Sequence, residues 1–165
     1  MLRKVQQKRI PSPGGIFAVV ASCYNARYVD AMLRAARAEL RRAGVSEIQI
    51  IRVPGAYEIP VVAARLAGNA SRSTRHTSGL SAIICLGVIL RGETVHAAHI
   101  GEAVSRALME IQLMHQVPVI HEVLLLENEG QARVRCLNPK HNRGTEAAQA
   151  ALAMARVMAD LNSAV

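Results

Sequence analysis

The chain has 165 residues, about half of them apolar, which is enough for one domain with a proper core. Its net charge of +8 comes from 17 Arg and 3 Lys scattered along the chain, beside three Tyr, one Phe and no Trp. No aromatics are interleaved with the basic residues to stack bases, so nucleic-acid binding is not expected as the main role. The longest apolar run, "LSAIICLGVIL" at 80–90, is too short to span a bilayer.

Taken in order, "MLRKVQQKRIPSPGG" carries charge but no apolar segment, so it is not expected to be a secretory signal. Residues 1–15 read as an N-terminal arm, in which "KVQQKRI" fits an extra edge strand and "PSPGG" a turn. A single domain is expected over 16–165. "IFAVVAS" (16–22) reads as a buried strand, and "YVDAMLRAARAELRRAG" (28–44) as a helix stopped by Gly44. "SEIQIIRV" (46–53) is a second strand and "IPVVAARLAGNA" (59–70) a second helix, followed by the polar loop "SRSTRHTSG" (71–79). "LSAIICLGVIL" lacks alternation and so reads as a strand buried on both faces. "HIGEAVSRALMEIQLMHQ" (99–116), "VPVIHEVLLL" (117–126) and "NRGTEAAQAALAMARVMADLN" (142–162) complete the series as helix, strand and helix. Strands alternating with helices predict a four-stranded parallel sheet with helices on both faces.

In open α/β sheets the ligand site lies beyond the carboxyl ends of the strands. The four ends are "SCYNAR" (22–27), "PGAYE" (54–58), "GVILRGETVH" (87–96) and "ENEGQARVR" (127–135). They bring two aromatics, a carboxylate, a glycine-bearing loop, a histidine and an arginine to one edge. In "RGETVH", Gly92 allows a tight loop and Thr94 can cap the following helix. The amides at such a helix start attract phosphate, and His96 on the first turn can move protons close to that anion. An N-cap followed by a surface histidine is the alternative from spacing alone.

Four stretches in fixed order, "VPGAYEIP" (53–60), "GVILRGETVH", "ENEGQARVR" and "NRGTEAA" (142–148), resemble the lumazine synthase family, whose pattern is VPGA(F/Y)EIP, GxVIRGxTxH, EQAxxR and NKGxEAA. The resemblance spans roughly residues 16–160. It implies a three-layer flavodoxin-like α/β sandwich. It also implies condensation of 5-amino-6-(ribitylamino)uracil with 3,4-dihydroxy-2-butanone 4-phosphate in riboflavin biosynthesis, with no metal or organic cofactor. By position, it places Tyr24 on the ring-stacking aromatic with Asn25 beside it, and Ala56, Tyr57 and Glu58 on the segment that holds the ribityl chain. Val88, Ile89 and Leu90 fall on the strand end lining the pyrimidine, and Gly92, Glu93 and Thr94 on the phosphate loop. Arg135 matches the phosphate-binding arginine, Arg143 the lysine of NKG and so a second phosphate-binding cation, and His96 the proton-transfer histidine. The resemblance implies that the Arg135 segment reaches a neighbouring subunit's pocket, hence a homo-oligomer, minimally a pentamer, with sites at subunit interfaces. The turn "CLNPKHN" (136–142) is not lengthened, which leans towards a sixty-subunit capsid. Riboflavin synthase is a candidate associate.

The chain departs from the family pattern at Ala97, Ala98 and His99, where HFDY gives an aromatic, an acid and an aromatic, at His121-Glu122 in place of Phe-Gly, and at Gly130 in place of the acid of EQA. His121 therefore stands where the family encloses the pyrimidine ring. These departures motivate a second reading, a non-catalytic flavin- or lumazine-binding relative. His96, His99 and His121 could make a three-histidine metal set, but the resemblance explains His96 without one. Three sparse cysteines without CxxC spacing fit a reducing cytoplasm. Cys23 is expected as a small buried strand-end residue, Cys85 as core, and Met109, Met114, Met154 and Met158 as core filler.

Overall fold

The computed structural model describes residues 11–72 and 79–163. The edge strand expected at 4–10 and residues 73–78 of the polar loop lie outside the described residues. Strands β1 (Ile16–Ser22), β2 (Glu47–Val53), β3 (Leu80–Leu90) and β4 (Val119–Leu126) form one parallel sheet in the order β2-β1-β3-β4. Helices α1 (Ala26–Arg42) and α5 (Arg143–Ser163) cover one face; α2 (Ile59–Arg72) and α3 (His96–His115) cover the other. Between β4 and α5 run a one-turn helix, α4 (Glu129–Ala132), and a π-helical turn at Arg133–Leu137. This is the parallel sheet covered on both faces that the alternation predicts, and the three-layer flavodoxin-like sandwich that the resemblance implies.

The bounds of β1 and β3 coincide with the apolar runs, because both strands are central and buried on both faces. Phe17, Val19 and Ala21 pack with Ile84, Leu86, Met32, Leu40 and Leu152 on one side. Ala18 and Val20 pack with Ile83, Cys85, Ile59, Val104 and Leu108 on the other. Strand β4 begins at Val119 rather than 117. Pro118 has no amide to donate, although its carbonyl accepts the Ile83 N–H at 2.8 Å.

Alanine and glycine let the layers approach closely. At Gly144, on the first turn of α5, an added Cβ would lie 2.0 Å from the Met32 carbonyl oxygen, so the α5 backbone rests directly on α1. The Asn142 side chain fixes this entry: Oδ1 accepts the Gly144 N–H at 2.9 Å, and Nδ2 donates to the Cys136 carbonyl.

Two expectations about side chains are corrected. Met109 and Met114 are 54% and 75% exposed and Met154 is also exposed, so they do not fill the core. They lie on the outward faces of α3 and α5, where helical spacing records amphipathicity but not which face meets the sheet. Cys23 is exposed, while Cys85 is buried as expected and burial pushes its thiol well up.

The chain leaves β1 through α1 towards β2, then crosses back to β3 on the other side of β1. The segments following β1 and β3 therefore diverge to opposite faces. A crevice opens at their carboxyl ends, the position where doubly wound sheets place ligands.

Candidate active site

A cleft of about 800 Å³ occupies that crevice. Its first wall follows β1. Asn25 has a left-handed backbone (φ 55°, ψ 39°), which asparagine tolerates better than most residues. Its side chain makes no capping bond to α1. Instead Nδ2 donates to the Val88 carbonyl at 2.7 Å, tying the end of β1 to the end of β3 across the cleft floor.

The second wall is the Pro54-Gly55 turn. The amides of Cys23 and Tyr24 both donate to the Pro54 carbonyl, at 3.2 and 3.1 Å, joining the first two loops. Residues Ala56–Glu58 form a 3₁₀ turn leading into α2. Glu58 Oε2 accepts the Gly55 N–H at 2.8 Å, so the carboxylate fixes the turn as well as lining the cleft. A Cβ at Gly55 would lie 2.9 Å from that oxygen and 3.1 Å from Cδ2 of Tyr24, so glycine lets the ring settle over the turn. The rings of Tyr24 and Tyr57 are 72% and 64% exposed, available to a planar ligand.

Val88, Ile89 and Leu90, the end of β3, form the apolar floor. The loop beyond is exposed and carries Gly92 and Thr94 into the cleft. Arg91 anchors the loop's start: its N–H donates to the Leu126 carbonyl and its Nε to Glu127 at 3.0 Å. Thr94 Oγ1 accepts the His96 N–H at 3.4 Å, and α3 begins at His96, three residues earlier than the periodicity suggested. The earlier start matters. It puts His96, His99, Ile100 and Ala103 at positions i, i+3, i+4 and i+7 of one helix, and all four line the cleft.

Eleven of the expected site residues thus converge in one cleft: Tyr24, Asn25, Ala56, Tyr57, Glu58, Val88, Ile89, Leu90, Gly92, Thr94 and His96. Gly55, Ala97, His99, Ile100 and Ala103 join them. The i, i+3, i+4, i+7 pattern would have found three of these five from His96, had the helix been started there.

Four expected residues do not line this cleft. Glu93 is exposed on the loop. Arg135 is exposed on the π-helical turn and has no ion-pair partner among the described residues. His121 faces α3, where its Nε2 lies 2.8 Å from Ser105 Oγ. The Ser105 hydroxyl donates to the Gly101 carbonyl at 2.7 Å, and Nδ1 of His121 lies 3.4 Å from the Val123 N–H. The imidazole is therefore best satisfied with its proton on Nε2, donating to the serine; it does not activate that hydroxyl.

Arg143 holds two carboxylates. Its Nε donates to Glu122 Oε1 at 2.8 Å and its Nη1 to Glu146 Oε2 at 2.6 Å. Glu122 is buried on β4, and burial pushes its carboxyl up to about 7 against the opposing pull of Arg143. Nearby Cys136 is likewise pushed up to about 11, chiefly by burial and then by Glu122. Among the described residues no group of three or more His, Cys, Asp or Glu side chains converges as a metal site. Among them, too, no helix is long and apolar enough to cross a membrane.

The cleft thus presents two exposed tyrosine rings, a carboxylate and two imidazoles around an apolar floor. The profile of the 6,7-dimethyl-8-ribityllumazine synthase family matches residues 15–159. The 6,7-dimethyl-8-ribityllumazine synthase of Xanthomonas oryzae pv. oryzae (strain PXO99A) is 40% identical over 148 residues, covering 88% of this chain and 91% of that protein. The enzyme of the same name from Stenotrophomonas maltophilia (strain R551-3) is 40% identical over 147 residues, covering 88% and 90%. That of Xanthomonas campestris pv. campestris (strain B100) is 38% identical over 144 residues, covering 86% and 88%.

Proposed function

The chain belongs to the 6,7-dimethyl-8-ribityllumazine synthase family, and we propose that it carries out that family's transferase step in riboflavin biosynthesis. The substrates are 5-amino-6-(ribitylamino)uracil and 3,4-dihydroxy-2-butanone 4-phosphate; the products are the lumazine, phosphate and water. The observation that carries the reading is the meeting of Tyr24, the Ala56–Glu58 turn, the end of β3 and His96 in one cleft.

In this reading the pyrimidine stacks on Tyr24 over Val88–Leu90, and the ribityl hydroxyls reach the Ala56–Glu58 turn. The phosphate sits at the Gly92–Thr94 loop, at the positive end of the α3 dipole. His96, on the first turn beside it, accepts and returns protons during imine formation, phosphate loss and ring closure. Holding both substrates in one cleft supplies much of the rate by proximity.

Arg135 completes the phosphate site from a neighbouring subunit of a cytoplasmic homo-oligomer, minimally a pentamer and, with the short turn at 136–142, a sixty-subunit capsid. Its exposure and its absence from the lining of this chain's own cleft support that assignment. Arg143 then acts at the base of the Arg135 segment, holding Glu122 and Glu146, rather than on phosphate directly. Riboflavin synthase is the associate such an assembly would serve.

The test is turnover, with purified protein, both substrates, and lumazine fluorescence followed above the uncatalysed background. His96→Ala should lower kcat by about 10²-fold with the fold intact. Wild-type kinetics in that variant would refute the assignment. No turnover by the wild type, with tight flavin binding, would favour the non-catalytic reading that the His99, His121 and Glu122 departures motivate.

A further inference from the structure

The first turn of α3 carries two imidazoles. His96 and His99 are three residues apart, so their side chains stand side by side on one helix face. Both are exposed and both line the cleft. Ala97 turns into the core between them, Ala98 is small, and Ile100 and Ala103 follow on the cleft face. Neither ring makes a hydrogen bond to another described residue. This differs from His121, whose ring is engaged by Ser105. The other ionisable groups lining the cleft are Tyr24, Tyr57 and Glu58, and Glu58 is engaged by the Gly55 N–H.

We propose that His99 is a second proton-transfer residue of this site, donating a proton in the step where His96 accepts one. The inference rests on the lumazine synthase reading of the cleft. Ring closure attaches the ribityl-bearing nitrogen to a carbonyl carbon and leaves a hydroxyl there. Expelling that hydroxyl needs an acid: the proton on His99 passes to the oxygen, the C–O bond breaks, and water departs with the bonding pair. The nitrogen lone pair forms the new π bond, and the resulting cation loses a proton to His96. One imidazole ends neutral and the other protonated, and proton exchange with solvent through the open cleft resets both. Two imidazoles on one helix face let one ring donate a proton while the other accepts one, which a single ring cannot do. The Ala97-Ala98-His99 sequence, where relatives of the pattern carry aromatics and an acid, is on this view a relocation of acid chemistry to position 99.

The experiment compares the pH dependence of kcat for the wild type and for His99→Gln, with circular dichroism and native mass to show that the variant folds and assembles. A base must be unprotonated and an acid protonated, so His96 governs the low-pH limb and His99 the high-pH limb. His99→Gln should lower kcat by about 10²-fold, remove the high-pH limb and leave KM within about threefold. A variant with near-wild-type kcat, or one that is slower but keeps both limbs, overturns the proposal while leaving the site reading intact. A wild type without turnover overturns the site reading itself.

Discussion

Glu122 offers a sharp test of how burial and ion pairing compete in this fold. It is 6% exposed on β4 and faces the start of α5, with Arg143 Nε 2.8 Å away. Arg143 is shared with Glu146 and is 37% exposed, so it keeps both a second carboxylate and solvent. Burial dominates and raises the Glu122 carboxyl from 4.5 to about 7; Arg143 opposes the rise, Glu146 adds to it and Arg135 opposes it slightly. At about 1.4 kcal/mol per pH unit this corresponds to roughly 3 kcal/mol between the two protonation states. Because the folded value lies above the unfolded one, the stabilisation is fully present below about pH 4.5 and is lost as pH rises through 7. Glu122→Gln keeps the shape and removes the titration. Urea midpoints measured at pH 5 and pH 8 should show the wild type losing up to ~3 kcal/mol more than the variant, with the variant at least as stable at pH 8. If the ion pair outweighs burial, the variant will instead be less stable than wild type at pH 8 by about 3–5 kcal/mol, with no difference in pH slope, and the reasoning fails.

Three further outcomes follow from the geometry. Gly144→Ala puts a methyl 2.0 Å from the Met32 carbonyl, so α1 and α5 must separate; a cost of about 3 kcal/mol, read as a melting temperature lowered by roughly 10 °C, is expected. Gly55→Ala should leave the melting temperature nearly unchanged but raise KM for the pyrimidine substrate about tenfold, because its Cβ meets Glu58 Oε2 at 2.9 Å and the Tyr24 ring at 3.1 Å. Mixing equal amounts of dissociated His96→Ala and Arg135→Ala subunits and reassembling them should restore about a quarter of wild-type activity, since a shared site needs His96 from one chain and Arg135 from another. No recovery on mixing would place both residues in one subunit's site.

Much of the architecture was legible from local pattern. The unbroken apolar runs of β1 and β3 marked central strands to the residue, because a strand covered on both faces has no polar side to show. Pro54-Gly55 and Gly92 marked the turns, and the order of the four motifs named the family before any strand was placed.

The tertiary structure decided what spans the sheet. That Asn25 would leave its own helix uncapped to hold Val88, 63 residues on, follows only from β1 and β3 being neighbours. That Arg143 would engage Glu122 follows from the start of α5 facing β4. The outward placement of Met109 and Met114, and the inclusion of His99 in the cleft, turned on the rotation of α3 about its axis and on its start at His96. Periodicity records which residues share a face of one element. Which face meets the sheet, and which strand ends lie side by side, is set by strand order and register, and these are properties of the whole chain rather than of any window of it.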